Sequence, residues 1–153
     1  MINNRILRSL GYTLSFNFKQ FISVFSLGGL EISEIELENW MKKEEEELFE
    51  EISDIDFSAF LNGLIVYKRG KKEGTEPVLE KKLNNNLIVR KLRIAFNLKD
   101  QDMIDILMLV DFKITKSELS ALFRNTNHSN YRECKDQLLR NFLNGLAQKY
   151  KAK

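Results

Sequence analysis

Cysteine, proline, histidine and tryptophan each occur once in the 153 residues. The lone Cys134 cannot close an internal disulfide, and it excludes a zinc ribbon or any other site built on paired cysteines. No apolar run approaches the roughly 18 residues that a membrane span needs, and the start MINNRILRSL lacks the apolar core of a signal peptide. These absences describe a cytoplasmic protein in a reducing compartment, without a membrane partner. Glycine is also scarce where chemistry would want it. Gly28-Gly29 is followed by Leu30-Glu31-Ile32, has no P-loop lysine, and reads as a turn between helices. The acidic run Glu44-Glu45-Glu46-Glu47 lacks the alternating oxygen ligands around a glycine that a calcium loop uses. The sequence implies no cofactor and no metal.

The chain is ordinary in bulk. Hydrophobic residues make up 43% and charged residues 30%, which suits one folded domain or two small ones burying roughly two-thirds of their unfolded surface. The 24 basic and 22 acidic residues leave a net charge of +2, too mild by itself to announce nucleic acid. The charges are unevenly placed, however. Lys68, Arg69, Lys71 and Lys72 form one basic run, and Arg90, Lys91 and Arg93 form another.

The strongest signal is a repeat. The pentapeptide FLNGL occurs at 60–64 and again at 142–146. At the same offset, without a gap, Asn3-Asn4 falls on Asn85-Asn86, Arg8 on Arg90, Ile22 on Ile104, Glu36-Leu37 on Glu118-Leu119 and Asp54 on Asp136. Matches that follow the apolar periodicity mark a duplicated module. Each copy reads as about four helices, because apolar residues recur at helical spacing and strict alternation never persists. Asn85 or Asn86 offers a cap for the first helix of the second copy, and Asp100 and Asp102 open its second helix. Ser33/Glu36 and Thr115/Glu118 stand at capping-box spacing. Asp54 and Asp136 read as first-turn or cap residues of a fourth helix, which carries FLNGL. The expected fold is all-α: a first module at 1–70, a linker at 71–82 holding the only proline, and a second module at 83–153, packed as a pseudo-dimer. A glycine inside a helix costs about 1 kcal/mol relative to alanine, so its double occurrence points to close packing. The two FLNGL helices are expected to meet each other across the pseudo-twofold axis.

Function is harder to read. VFSLGGLEISEIELENWMKK has the outline of a DNA-binding helix-turn-helix, but its turn is long and its second helix exposes glutamates, so a plain helical hairpin is the better reading. Cys134, His128 and Asp136 could be imagined as thiol, base and orienting acid, yet Cys134 aligns with Ile52 and reads as a small core residue. The second copy is the more basic. Arg90, Lys91, Arg93, Arg124, His128 and Arg132, with Lys68, Arg69, Lys71 and Lys72 from the first basic run, are the candidates for holding a polyanion. Asn125, Thr126, Asn127, Ser129 and Asn130 add groups of the kind that contact phosphate oxygens. A non-enzymatic binding or regulatory module, with protein or nucleic acid as partner, is the leading expectation. The alternative is a small-molecule or enzymatic role in a cleft between the modules, near His128, Arg132 and Cys134.

The segments LNNNLIVRKLRIAFNLKD (83–100), SELSALFR (117–124) and NYRECKDQLLRNFLNGL (130–146) resemble the YehS-like family of bacterial proteins. The likeness extends to MINNRILRSL at the start and to FLNGLIVYKRGKKEG at 60–74. It implies a bacterial cytoplasmic protein with a tandem domain, and it carries over no catalytic residue. The loop before His128 reads RNTN and departs from the family pattern in lacking a proline-glycine pair.

Overall fold

The computed structural model describes residues 1–71 and 78–151, and every regular element among them is an α-helix. The first module holds α1 (Asn3–Leu14), α2 (Phe18–Leu27), α3 (Glu34–Met41) and α4 (Asp54–Arg69). The second holds α5 (Asn85–Ala95), α6 (Asp100–Met108), α7 (Lys116–Leu122) and α8 (Asp136–Tyr150). Each helix of the second module starts 82 residues after its counterpart. None of these helices is long and apolar enough to cross a membrane. Gly74 and Pro77, read from the sequence as linker punctuation, lie outside the described residues, as does Lys72.

Local signals set the helix starts. Ser33 and Glu36 form a reciprocal capping box on α3, and Thr115 and Glu118 form one on α7. Asn17 and Gln20 do the same for α2, which gives its first turn two of the partners that an open helix end lacks. The cap of α5 is Asn84, whose side chain accepts from the Leu87 N–H at 2.8 Å. Neither Asn85 nor Asn86 serves as that cap, because both side chains are engaged across the module.

That engagement is the device that closes each module. Asn4 is fully buried. Its Nδ2 donates to the carbonyls of Trp40 (2.9 Å) and Glu50 (2.8 Å), while its Oδ1 accepts from the Ile52 N–H (2.9 Å). Asn86 repeats this with Leu122 (3.0 Å), Arg132 (2.8 Å) and the N–H of Cys134 (2.8 Å). One amide thus ties the end of the third helix and the following loop onto the first helix. Next to it, Asn3 and Asn85 donate to Asp54 (2.8 Å) and Asp136 (2.7 Å) at the start of α4 and α8.

The modules complete one another. α1 packs on α8, and α5 packs on α4, so each module's first helix lies against the other module's last. The pairing is reciprocal in detail. Leu83 donates its N–H to Asp54 at 2.9 Å, and the equivalent Met1 donates its terminal ammonium to Asp136 at 2.9 Å. At the other end, Arg69 bonds the Ile94 carbonyl at 3.2 Å, while Lys151 sits over the Tyr12 ring and bonds Ser15. This is the pseudo-dimer that the internal repeat implies.

One expectation is corrected. The FLNGL helices owe their glycines to their own modules, not to each other. A Cβ on Gly63 would lie 1.8 Å from the Val24 carbonyl oxygen, and one on Gly145 would lie 2.4 Å from the Ile106 carbonyl oxygen. Val24 and Ile106 are equivalent positions of α2 and α6. The close approach is therefore α2 on α4 and α6 on α8, with the outer helix seated directly on the glycine. Eight consecutive residues of α4, from Phe57 to Leu64, are buried, since α2 covers one side of the helix and α5 another.

Candidate anion-binding site

On α5, Arg90, Arg93, Ile94 and, just past its end, Asn97 fall at helical spacing and share a face. The last turn of α4 brings Arg69 of the first module to that face, and the end of α7 brings Phe123. Together with Leu98 they line an open concavity of about 360 Å³. Three of the arginines proposed from sequence therefore converge, one from the first module and two from the second. Each is held by a local bond. Arg69 Nη1 donates to Ile94 O, and Arg90 Nη2 donates to the Phe123 carbonyl at 2.7 Å, closing the end of α7. Arg93 donates from Nε to Leu98 O (3.0 Å) and from Nη2 to Asp100 (2.5 Å), with its guanidinium 4.8 Å from the Phe123 ring centre. A guanidinium carries five N–H donors, so most of theirs remain uncommitted among the described residues.

The other basic candidates divide. Arg124 follows Phe123 directly and is half-buried, and Lys71 is exposed two residues after Arg69. Lys68 lies against aromatic rings, 4.4 Å from the centre of Phe96, and burial lowers its pKa. Lys91 is drawn into the seam between the modules. Its Nζ donates to Asn62 Oδ1 at 2.7 Å, with Glu80 at 3.9 Å, and burial lowers its pKa despite that carboxylate. Arg132, on the loop after α7, pairs with Glu118 of α7 at 3.1 Å and lines no part of the concavity. Of the loop groups read as phosphate contacts, Asn125 serves its own turn, its Oδ1 accepting from Asn127 N–H, and the neighbouring His128 Nδ1 accepts from Asn130 N–H. Ile94, Leu98, Asn97 and Phe123 were not singled out from sequence. Their one signal was adjacency to the arginines.

Charge separates along the chain more sharply than the total shows. Residues 1–70 carry 7 basic and 12 acidic side chains, a net of −5, whereas residues 83–153 carry 13 basic and 7 acidic, a net of +6. Most of the concavity's lining comes from the positive second module, with Arg69 reaching it from the first.

The thiol candidate is built differently. Cys134 is 2% exposed, and burial pushes its thiol up to about 11, which leaves it protonated and a poor nucleophile at neutral pH. His128 is turned to Asn130, and Asp136 is taken by Asn85 and the terminal ammonium. The depression beside Cys134, about 330 Å³, is lined by Asn84, Asn85, Asn86, Tyr131 and Glu133, all of the second module. It is not a cleft between modules, and His128 and Arg132 are not among its walls. Ellman's reagent at neutral pH should leave Cys134 of the native protein unmodified while it modifies the unfolded chain completely. Labelling of the native protein at the rate of a free thiol would revive the nucleophile. Among the described residues, no three His, Cys, Asp or Glu side chains gather in a way that could hold a metal ion.

Comparison with known proteins agrees with the duplication. The chain is 44% identical over 155 residues to the "Uncharacterized protein YehS" of Escherichia coli (strain K12), spanning 100% of this chain and 99% of that relative. No solved structure matches it. A family described as "Protein of unknown function (DUF1456)" matches twice, over residues 3–70 and 85–152. The chain belongs to this family, and its two helical modules are two copies of the family's domain.

Proposed function

We propose that the protein is a non-enzymatic binding module for nucleic acid, which it holds through phosphates on a basic face where the end of α4 meets α5. The observation that carries this reading is the convergence of Arg69, Arg90 and Arg93 on one open concavity with most of their donors unspent. Arginine is the side chain best matched to phosphate, since its planar fork bonds two oxygens at once. Lys71 and Arg124 extend the basic surface along the chain on either side. The rest of the first module, whose residues 1–70 carry a net −5, would repel a phosphate backbone and so restrict contact to the face around Arg69, Arg90 and Arg93. The short α7 and the seven-residue connection before it do not favour insertion of a recognition helix into a groove. Contact with the backbone fits better than readout of bases.

A short oligonucleotide titrated by fluorescence anisotropy tests this. If three phosphates are neutralised, a fourfold rise in salt should weaken binding by roughly 20- to 40-fold, from a slope of about 0.7 to 0.9 per contact. Arg69→Gln should flatten the slope by about one unit. Lys19→Gln, an equal charge change on α2, should leave it unchanged. Absence of binding at low salt, or equal effects of the two substitutions, would overturn the reading. Specific capture of an acidic protein at the same arginines, without oligonucleotide binding, would replace nucleic acid by protein as the partner.

A further inference from the structure

The same concavity says more about its ligand than the sign of its charge. Its charged lining is Arg69, Arg90 and Arg93, and one carboxylate, Asp100, lies against them through its bond to Arg93. Among the described residues, three guanidiniums and one carboxylate leave a local charge of +2. An internal phosphodiester carries only one negative charge, whereas a phosphate monoester carries about −1.5 to −2 at neutral pH. The wall is also not wholly polar. Ile94, Leu98 and the Phe123 ring stand beside the guanidiniums, with Asn97 adding an amide. About 360 Å³ is within the size range of small-ligand sites, in which apolar surface holds the body of a ligand and a few polar groups fix its orientation.

We infer that this concavity is a seat for a phosphate monoester borne on a nucleotide, with the phosphate among Arg69, Arg90 and Arg93 and the nucleoside against Ile94, Leu98 and Phe123. The inference rests on the nucleic-acid reading above and narrows it: the preferred ligand is the phosphorylated end of a strand, or a nucleotide that presents the same group. The seat spans the seam between modules, because Arg69 comes from α4 and the other two arginines from α5. It is also one-sided. The repeat places Lys151 at the position of Arg69, Arg8 at that of Arg90 and Gly11 at that of Arg93. Of these, Lys151 is committed to Tyr12 and Ser15, Arg8 donates to the Lys42 carbonyl at 2.8 Å, and Gly11 is covered by the Phe21 ring. The first module therefore has no counterpart to the triple-arginine seat, and one ligand per chain is expected.

The experiment compares one oligonucleotide with a 5′-phosphate and with a 5′-hydroxyl, at fixed salt, on the full chain. A 5′-mononucleotide, inorganic phosphate and a phosphopeptide serve as competitors. The expected result is at least tenfold tighter binding of the phosphorylated strand at one site per chain. Arg69→Gln should abolish that gain, Arg90→Gln should abolish it too, and Lys19→Gln should preserve it. Thermal melts of the variants confirm folding, and Arg69, whose bond to Ile94 is at the surface, is the variant least able to disturb it. The mononucleotide should compete and inorganic phosphate should compete far less. A mononucleotide that competes as well as the phosphorylated strand assigns the seat to the nucleotide itself, and one that competes more weakly assigns it to the strand end. Equal binding of the two strands, with the salt slope and its Arg69 dependence intact, would overturn the monoester seat and leave the proposed function standing. Failure of both strands to bind would remove both. Competition by inorganic phosphate equal to that of the mononucleotide, or stronger competition by the phosphopeptide, would overturn the nucleotide assignment.

Discussion

Gly63→Ala should destabilise the protein by about 3 kcal/mol or more in urea denaturation, at the upper end of what one extra carbon costs in a packed interior. The added Cβ would stand 1.8 Å from the Val24 carbonyl oxygen, which is backbone and cannot turn aside. The contact is mutual, since a Cβ on Gly28 would lie 1.7 Å from the Ala59 carbonyl oxygen and 3.0 Å from the Gly63 nitrogen. α2 and α4 thus cross through a pair of glycines, and either substitution must push the whole helices apart. The two effects should be less than additive in Gly28→Ala/Gly63→Ala, because the separation forced by the first substitution relieves part of the second. Gly145→Ala should cost less. Val110 stands where Gly28 does in the first copy, the nearest backbone atom is 2.4 Å away, and the next neighbour, the Cγ2 of Ile106, belongs to a side chain that can adjust. Equal losses at Gly63 and Gly145, or none at Gly63, would contradict this account of the crossing.

The second large effect is expected at the buried amides. Asn4→Ala removes partners from two carbonyls and one N–H, and a buried backbone group left unpaired costs about 1–3 kcal/mol. A loss of roughly 3 kcal/mol is expected, allowing for water reaching part of the loop, and Asn86→Ala should match it. Asn4→Asp is the sharper variant. It keeps the shape but points a carboxylate oxygen at the Trp40 and Glu50 carbonyls, which lie 2.9 and 2.8 Å from the present Nδ2. Protonation would restore one donor, so the folded state should raise the pKa of the introduced acid above its unfolded value of about 4. A raised folded pKa means that stability is recovered as the pH falls through that value and lost as it rises. The gap between Asn4→Asp and the parent should therefore narrow on acidification. A gap independent of pH would show that the side chain has left its buried position.

Elements whose causes lie close in sequence were legible. Capping boxes join residues three apart, the repeat is visible at fixed offset, and acids in the first turn of α6 announce it. Asn85 or Asn86 was read as a helix cap because that is the commonest local use of asparagine, whereas the three partners of Asn86 lie 36, 46 and 48 residues away. The FLNGL glycines announced a tight contact but could not say with which helix, since nothing in a helix names its neighbour. The arginines of the concavity were found as basic runs. Lys68 and Lys91 belong to the same runs, yet they pack against rings and an amide of the seam. Only the fold separates the cations that face outward from those that hold the modules together.

The reciprocal docking of α1 on α8 and of α5 on α4 also limits how two fused sister copies can diverge. A change on the mating surface of one copy alters the fit of the other, so neither can wander there alone. Outward surfaces carry no such obligation, and the two copies now differ in net charge, −5 over residues 1–70 and +6 over residues 83–153. Joining two copies in one chain thus lets their outward surfaces differ while the mating surfaces stay matched.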